Sequence, residues 1–133
     1  MSVTDEIRDH QARCVAPLTS LRMLAHNDVG APMPRWVVVE IARATRAVVA
    51  EVEAAGRVVV AAADAWSGHP GGRAFLQVRV DRLAHAADAA VAAARAGDFA
   101  AMSRDLSRFD ALTTAIWTVQ DAVCDAGRVT AKV

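Results

Sequence analysis

The chain has 133 residues, enough to bury one continuous core and too few to divide readily into two. Its 15 basic side chains cancel its 15 acidic ones, so no net field draws it towards nucleic acid or an anionic membrane. Glu and Arg interrupt every apolar run before it reaches the roughly 20 residues of a membrane helix, and the stretch from Met1 to His10 is too acidic for a signal peptide. The expectation is one cytoplasmic domain over residues 1–133, with a composition rich in Ala, Val, Arg and Asp that suits a GC-rich bacterial genome. Hydrophobic residues make up 54%, yet with three Phe, three Trp and no Tyr the core must be slim and its helices closely spaced.

A first helix can be capped by Ser2 or Thr4, and its inner face carries Ile7, Cys14, Leu18, Leu21 and Leu24. Pro17 lies inside that pattern and removes one backbone bond, so a kink or a restart is expected there. Asn27, Asp28, Gly30 and Pro32 then turn the chain. After Pro34, a residue suited to a helix start, the clearest pattern begins. Val38, Ile41, Thr45, Val48, Val52, Ala55, Val59, Ala62 and Trp66 recur at steps of three and four, and the phase survives Gly56. This predicts a single helix over about 34–66, in which Gly56 costs up to about 1 kcal/mol.

The breakers from Ser67 to Gly72 end that helix. A third, from about Arg73 to Ala96, would bury Leu76, Val80, Leu83, Ala87, Val91 and Ala94. Gly97 can stop it in the left-handed conformation while Asp98 caps the next helix at once, which forces a hairpin. Phe99, Met102, Leu106, Phe109, Thr113, Ile116, Gln120 and Val123 form the fourth seam, with a stop expected at Gly127 and a frayed tail after it. The predicted fold is an all-α antiparallel four-helix bundle with one long central helix.

Cys14 and Cys124 have neither metal-binding spacing nor the density of a disulfide scaffold, and they read as buried thiols, with a bridge left open by the antiparallel pairing of the outer helices. His10 stands one turn from Cys14. Asp81, His85 and Asp88 fall on one face of the third helix, where carboxylate and imidazole could hold a metal, although such alternation also suits an exposed surface and no metal or other cofactor is expected. The glycines around His69 and Pro70 lead into Arg73 at a helix start, a place for an anion, but without a preceding strand or a phosphate-loop lysine they read as a flexible connection.

Two resemblances bear on function. Trp66, Ser67 and Gly68 between amphipathic helices, followed by Ala74 and Phe75, resemble the Trp-X-Gly family of small helical hairpins exported by type VII secretion, over roughly residues 34–96. That resemblance implies that Trp66 and Gly68 shape a turn and that the next helix folds back. The family's export signal needs a Tyr, which this chain lacks, and Trp117 with Asp121 keeps only its spacing. Arg79 and His85 have a spacing that resembles the Arg and His pair of HEPN ribonucleases, which implies His85 as general acid or base and Arg79 on an RNA phosphate across a dimer interface. The position after the Arg, often polar in that family, is Val80.

Helix length points elsewhere. A second helix longer than its partners would leave part of its valine seam uncovered, and such stripes mark partner surfaces. The expected function is a non-enzymatic interaction module, either a homodimer or a binder of a helical protein, with Val37, Val38, Ile41, Val48, Val49, Val52, Val59, Val60 and Trp66 at the interface. The alternative is a small-molecule or catalytic pocket between helices, lined by Trp36, Trp66 and Trp117.

Overall fold

The computed structural model describes residues 2–27, 33–67 and 71–131, with side chains described outside 63–67, 71–75 and 126–131. Four helices follow one another: α1 (Val3–His26), α2 (Arg35–Ser67), α3 (Gly71–Arg95) and α4 (Phe99–Ala131). No strand occurs among the described residues.

Each helix begins and ends for a local reason. Ser2 caps α1 by accepting from the Asp5 amide, and Asn27 closes it by donating to the Met23 carbonyl from both its backbone and its side chain. Pro17 causes no restart: α1 is one helix across it, and the ring is buried. Pro34 sits just outside α2 rather than within it, its carbonyl accepting from Val37. At Gly97, φ is 72°, and the amides of Gly97 and Asp98 reach back to the carbonyls of Ala94 and Ala93. This paired closure needs a left-handed residue, and glycine takes that conformation without a Cβ clash. Asp98 then accepts from the Ala101 amide at 3.1 Å and starts α4. The stop expected at Gly127 is absent, because α4 continues to Ala131. The turn residues Asp28 to Pro32 and Gly68 to Pro70, including the Gly of the Trp-Ser-Gly run, lie outside the described residues.

Side-chain bonds give the directions. Ser20 meets Glu40 and His10 meets Glu51, so α1 and α2 run oppositely; Arg22 meets Asp110 and Gln11 meets Asp121, so α1 and α4 do too. α2 touches α1, α3 and α4, α4 likewise touches all three others, and α1 and α3 do not meet among the described residues. The bundle is therefore flattened, with α2 and α4 as its inner pair. Each of these two helices has 33 residues, so α2 is not longer than every partner and its seam is not left over.

The core face of α2 runs through Val37, Ile41, Ala44, Thr45, Val48, Val52, Ala55, Val59 and Ala62. It starts at Val37 rather than Val38, which is only partly buried. Two apolar clusters divide the interior: a large one around Phe109, Leu83 and Ile41, and a smaller one of Ile7, Ala55, Val59, Leu76 and Cys124. Trp117 packs against both.

Gln120 lies on α4 between Ile116 of the first cluster and Cys124 of the second, fully buried, with neither amide atom partnered among the described residues. The other buried polar side chains, Thr45 and Thr113, return their hydroxyls to the carbonyls of Ile41 and Phe109. A glutamine cannot fold back in that way from its extended reach. Replacing Gln120 by Leu, which removes two orphaned polar atoms at similar volume, is expected to raise unfolding free energy by about 1–2 kcal/mol in urea melts. Gly56 faces the same amide, and an added Cβ would meet Gln120 Nε2 at 3.7 Å, an ordinary contact. Gly56→Ala is therefore expected to stabilise by about 0.5–1 kcal/mol through helix propensity, and a drop in the urea midpoint would contradict this.

Candidate functional site

The candidate catalytic residues of the sequence both lie on α3. Arg79 is half-buried and His85 is exposed on α3. Asp81, His85 and Asp88 are all exposed, and no group of three His, Cys, Asp or Glu side chains among the described residues is placed to hold a metal ion. Of the tryptophans expected to line a pocket, Trp36 is 59% exposed and Trp117 is partly buried at the junction of the two clusters, while the Trp66 side chain lies outside the described residues.

The cysteines are buried thiols. The pairing of Gln11 with Asp121 and of Arg22 with Asp110 sets Cys14 about six residues of helix from Cys124, roughly 9 Å along the axis. A disulfide does not span that offset. Burial, then the nearby Glu51 charge, pushes the Cys14 thiol up to about 11, so at neutral pH it is protonated and a poor nucleophile.

His10 belongs to a polar cluster that sequence reading alone missed. Its Nδ1 lies 2.5 Å from Glu51 Oε2, while Arg13 Nε donates to Glu51 Oε1 at 2.9 Å. Arg13 Nη2 also lies 3.0 Å from Nδ1 of His10, so that nitrogen either donates to Glu51 or accepts from Arg13, not both. Burial disfavours the Glu51 charge, but the hydrogen bonds from His10 and Arg13 outweigh it and hold its carboxyl below the ordinary range. Glu40 behaves alike: the Arg43 hydrogen bond lowers it, burial opposes, and Ser20 adds a second donor. These carboxylates tie α1 to α2 and, with no activated nucleophile beside them, act as clamps.

The other side of α2 is different. Along α2 and its border with α3 lie three adjoining shallow depressions of about 440, 520 and 530 Å³ that share Arg95, with Ala42 and Arg46 common to the first two and Val38 to the last two. Their floor is methyl surface from Val38, Ala42, Val49 and Val91, and Val39, 58% exposed, stands at the edge. Ala and Val are too small to fill the space between two helices up to their outer rims, which is why a groove remains.

Of the expected interface residues, Val37, Ile41, Val48, Val52 and Val59 are fully buried in the chain's own core and present nothing to a partner. Val38, Val49 and Val60 remain partly exposed, and the first two line the groove. The correction follows from phase: the buried set lies on the side of α2 facing α1 and α4, whereas the groove residues stand on the flank facing α3. The sequence carries a weak signal for this, since Val38, Ala42, Val49 and Val60 form a second stripe beside the seam.

No known protein-family model matches this chain, and no curated protein or solved structure compared with it is similar to it. Among the described residues no helix is long and apolar enough to cross a membrane.

The Glu51 clamp has a pH signature. A carboxyl held below its usual value of 4.5 adds stability that is fully present above that pH and is lost as pH falls through the lower, folded value. Wild type is expected to lose stability from about pH 4.5 downwards, and Glu51→Gln to be weaker at neutrality by on the order of 1 kcal/mol with a flatter acid decline. Urea midpoints at about pH 7 and about pH 3 check both; parallel pH curves would contradict the assignment.

Proposed function

We propose that this chain is a non-enzymatic helical interaction module whose contact face is the outer flank of α2 with the adjoining edge of α3. The observation that carries the reading is the 58% exposure of Val39 at the edge of a groove floored by Ala and Val, with Trp36, 59% exposed, elsewhere on the same helix, whose core face is complete without either of them. A tryptophan and a valine that add nothing to the core lose apolar exposure only when something covers them. The open, shallow form of the groove suits a protein surface better than an enclosed small ligand.

The homodimer expected from the valine seam becomes, on this reading, a second copy seated on the same face. Asp88, which lines the groove together with Arg46, is the feature that could meet an arginine of such a copy.

Sedimentation equilibrium up to high micromolar concentration detects a second copy, and panning a displayed library of amphipathic helices against the folded chain detects another helical partner. At least one is expected to show association, and Val39→Asp is expected to weaken it about tenfold or more while changing folding stability by no more than about 0.5 kcal/mol. A chain that stays monomeric and captures no helix would sink the proposal.

A further inference from the structure

We infer that the occupant of the α2–α3 groove is an acidic amphipathic helix of another protein. The inference rests on that groove being the interaction face, and what it adds is the chemistry of the partner.

Two arginines of α1 are matched across helix contacts, and a third is held within α2. Arg13 pairs with Glu51, Arg22 with Asp110, and Arg43 with Glu40. Around the groove Arg43 is held by Glu40, but Arg35, Arg46 and Arg95 also line the depressions and none of these three has an ion-pair partner among the described residues. Asp88 is the single acid among the residues that line them. Arg95 gains something from standing in the last turn of α3, where a cation complements the helix dipole, but Arg46 lies in the middle of α2 and has no such role.

The groove dimensions fit a helix. From Arg35 to Val49 the α2 wall extends 14 residues, about 21 Å, which accommodates roughly four turns of a partner. Its methyl floor takes the apolar stripe of such a helix, and guanidinium groups at the rim take flanking carboxylates, two hydrogen bonds at a time.

Two other occupants fit less well. A second copy related by a twofold axis brings the same arginines to the interface from each side, and one Asp88 from each chain does not balance them. A nucleic acid backbone would gain the arginines but would press phosphates onto Val38, Ala42, Val49 and Val91, which offer no hydrogen bond.

The test is a displayed library of 20-residue helices with a fixed Ala and Leu stripe and flanks randomised among Glu, Lys and Gln, panned against the wild-type chain and against Arg46→Glu/Arg95→Glu, both confirmed helical by circular dichroism. Wild type is expected to select Glu at the flanks, with binding that weakens as salt rises and falls about tenfold or more on the double variant. The double variant is expected to select Lys. Winners with Gln or Lys flanks on wild type, or equal binding of one peptide to both chains, overturn the inference while keeping the face as an interaction surface. Self-association blocked by Val39→Asp does the same, and so does a 20-nucleotide single-stranded RNA that displaces the best peptide at lower concentration. Absence of any binder from a monomeric chain overturns this inference and the proposed function together.

Discussion

The apolar faces of α2 and α4 are the surfaces on which the rest of the bundle depends, with the sequential pairs α1–α2 and α3–α4 making the most extensive contacts. These two 33-residue helices each touch all the others, whereas α1 and α3 sit in the furrows on either side and do not meet among the described residues. With few aromatic residues available, the pair buries branched and small side chains, Val48 and Val52 on α2 and Ile116 and Met102 on α4, all fully buried. Burial of this kind supplies most of the drive to fold, at roughly 25 cal/mol per Å² of apolar surface removed from water. Once the inner pair is set, every other feature becomes a question of which flank of α2 or α4 it occupies.

The two flanks of α2 are built from different chemistry. Towards α1 the contacts are directional, with Glu51 holding His10 and Arg13 and Glu40 accepting from Ser20. Hydrogen bonds of that sort fix the axial position of one helix against another. Towards α3 the contacts are methyl groups, and the alanines of α3 leave a furrow instead of filling it. Along that flank Arg35, Arg46 and Arg95 stand without an acid paired to them among the described residues. On the proposed reading, the α2–α3 flank is the one that takes another molecule.

The buried amide of Gln120 belongs to the same logic. It occupies an apolar seam position of α4 at the border between two clusters and lies against Gly56, the residue of α2 that offers no side chain there. A side chain longer than alanine at position 56 would meet the Gln120 amide, and an apolar residue at 120 would join the two clusters. A polar group at such a point opposes slippage of one helix past the other, because each shift by a turn would carry the amide among the methyl groups of Val52 or Val59.

The number of helices, the long α2, the hairpin closure at Gly97 and nearly all core positions were legible in the sequence, because each depends on spacing along one helix or on the conformational freedom of one residue. Three-and-four periodicity reports a helix face, and Gly97 followed by Asp98 reports a turn, whatever surrounds them. The neighbours of each face were not legible. Val37 and Val38 are adjacent in the chain, yet one is core and the other lines the groove, and the choice is made by where α3 and α4 stand. Glu51 reads as one more acid until α1 brings His10 and Arg13 to it. Arg46 and Arg95 are 49 positions apart and share a groove only because α2 and α3 run in opposite directions. Periodicity records how a helix divides its residues between inside and outside; the pairing of charges and the width of a furrow depend on distances between helices, which are set by packing volume once all four have met.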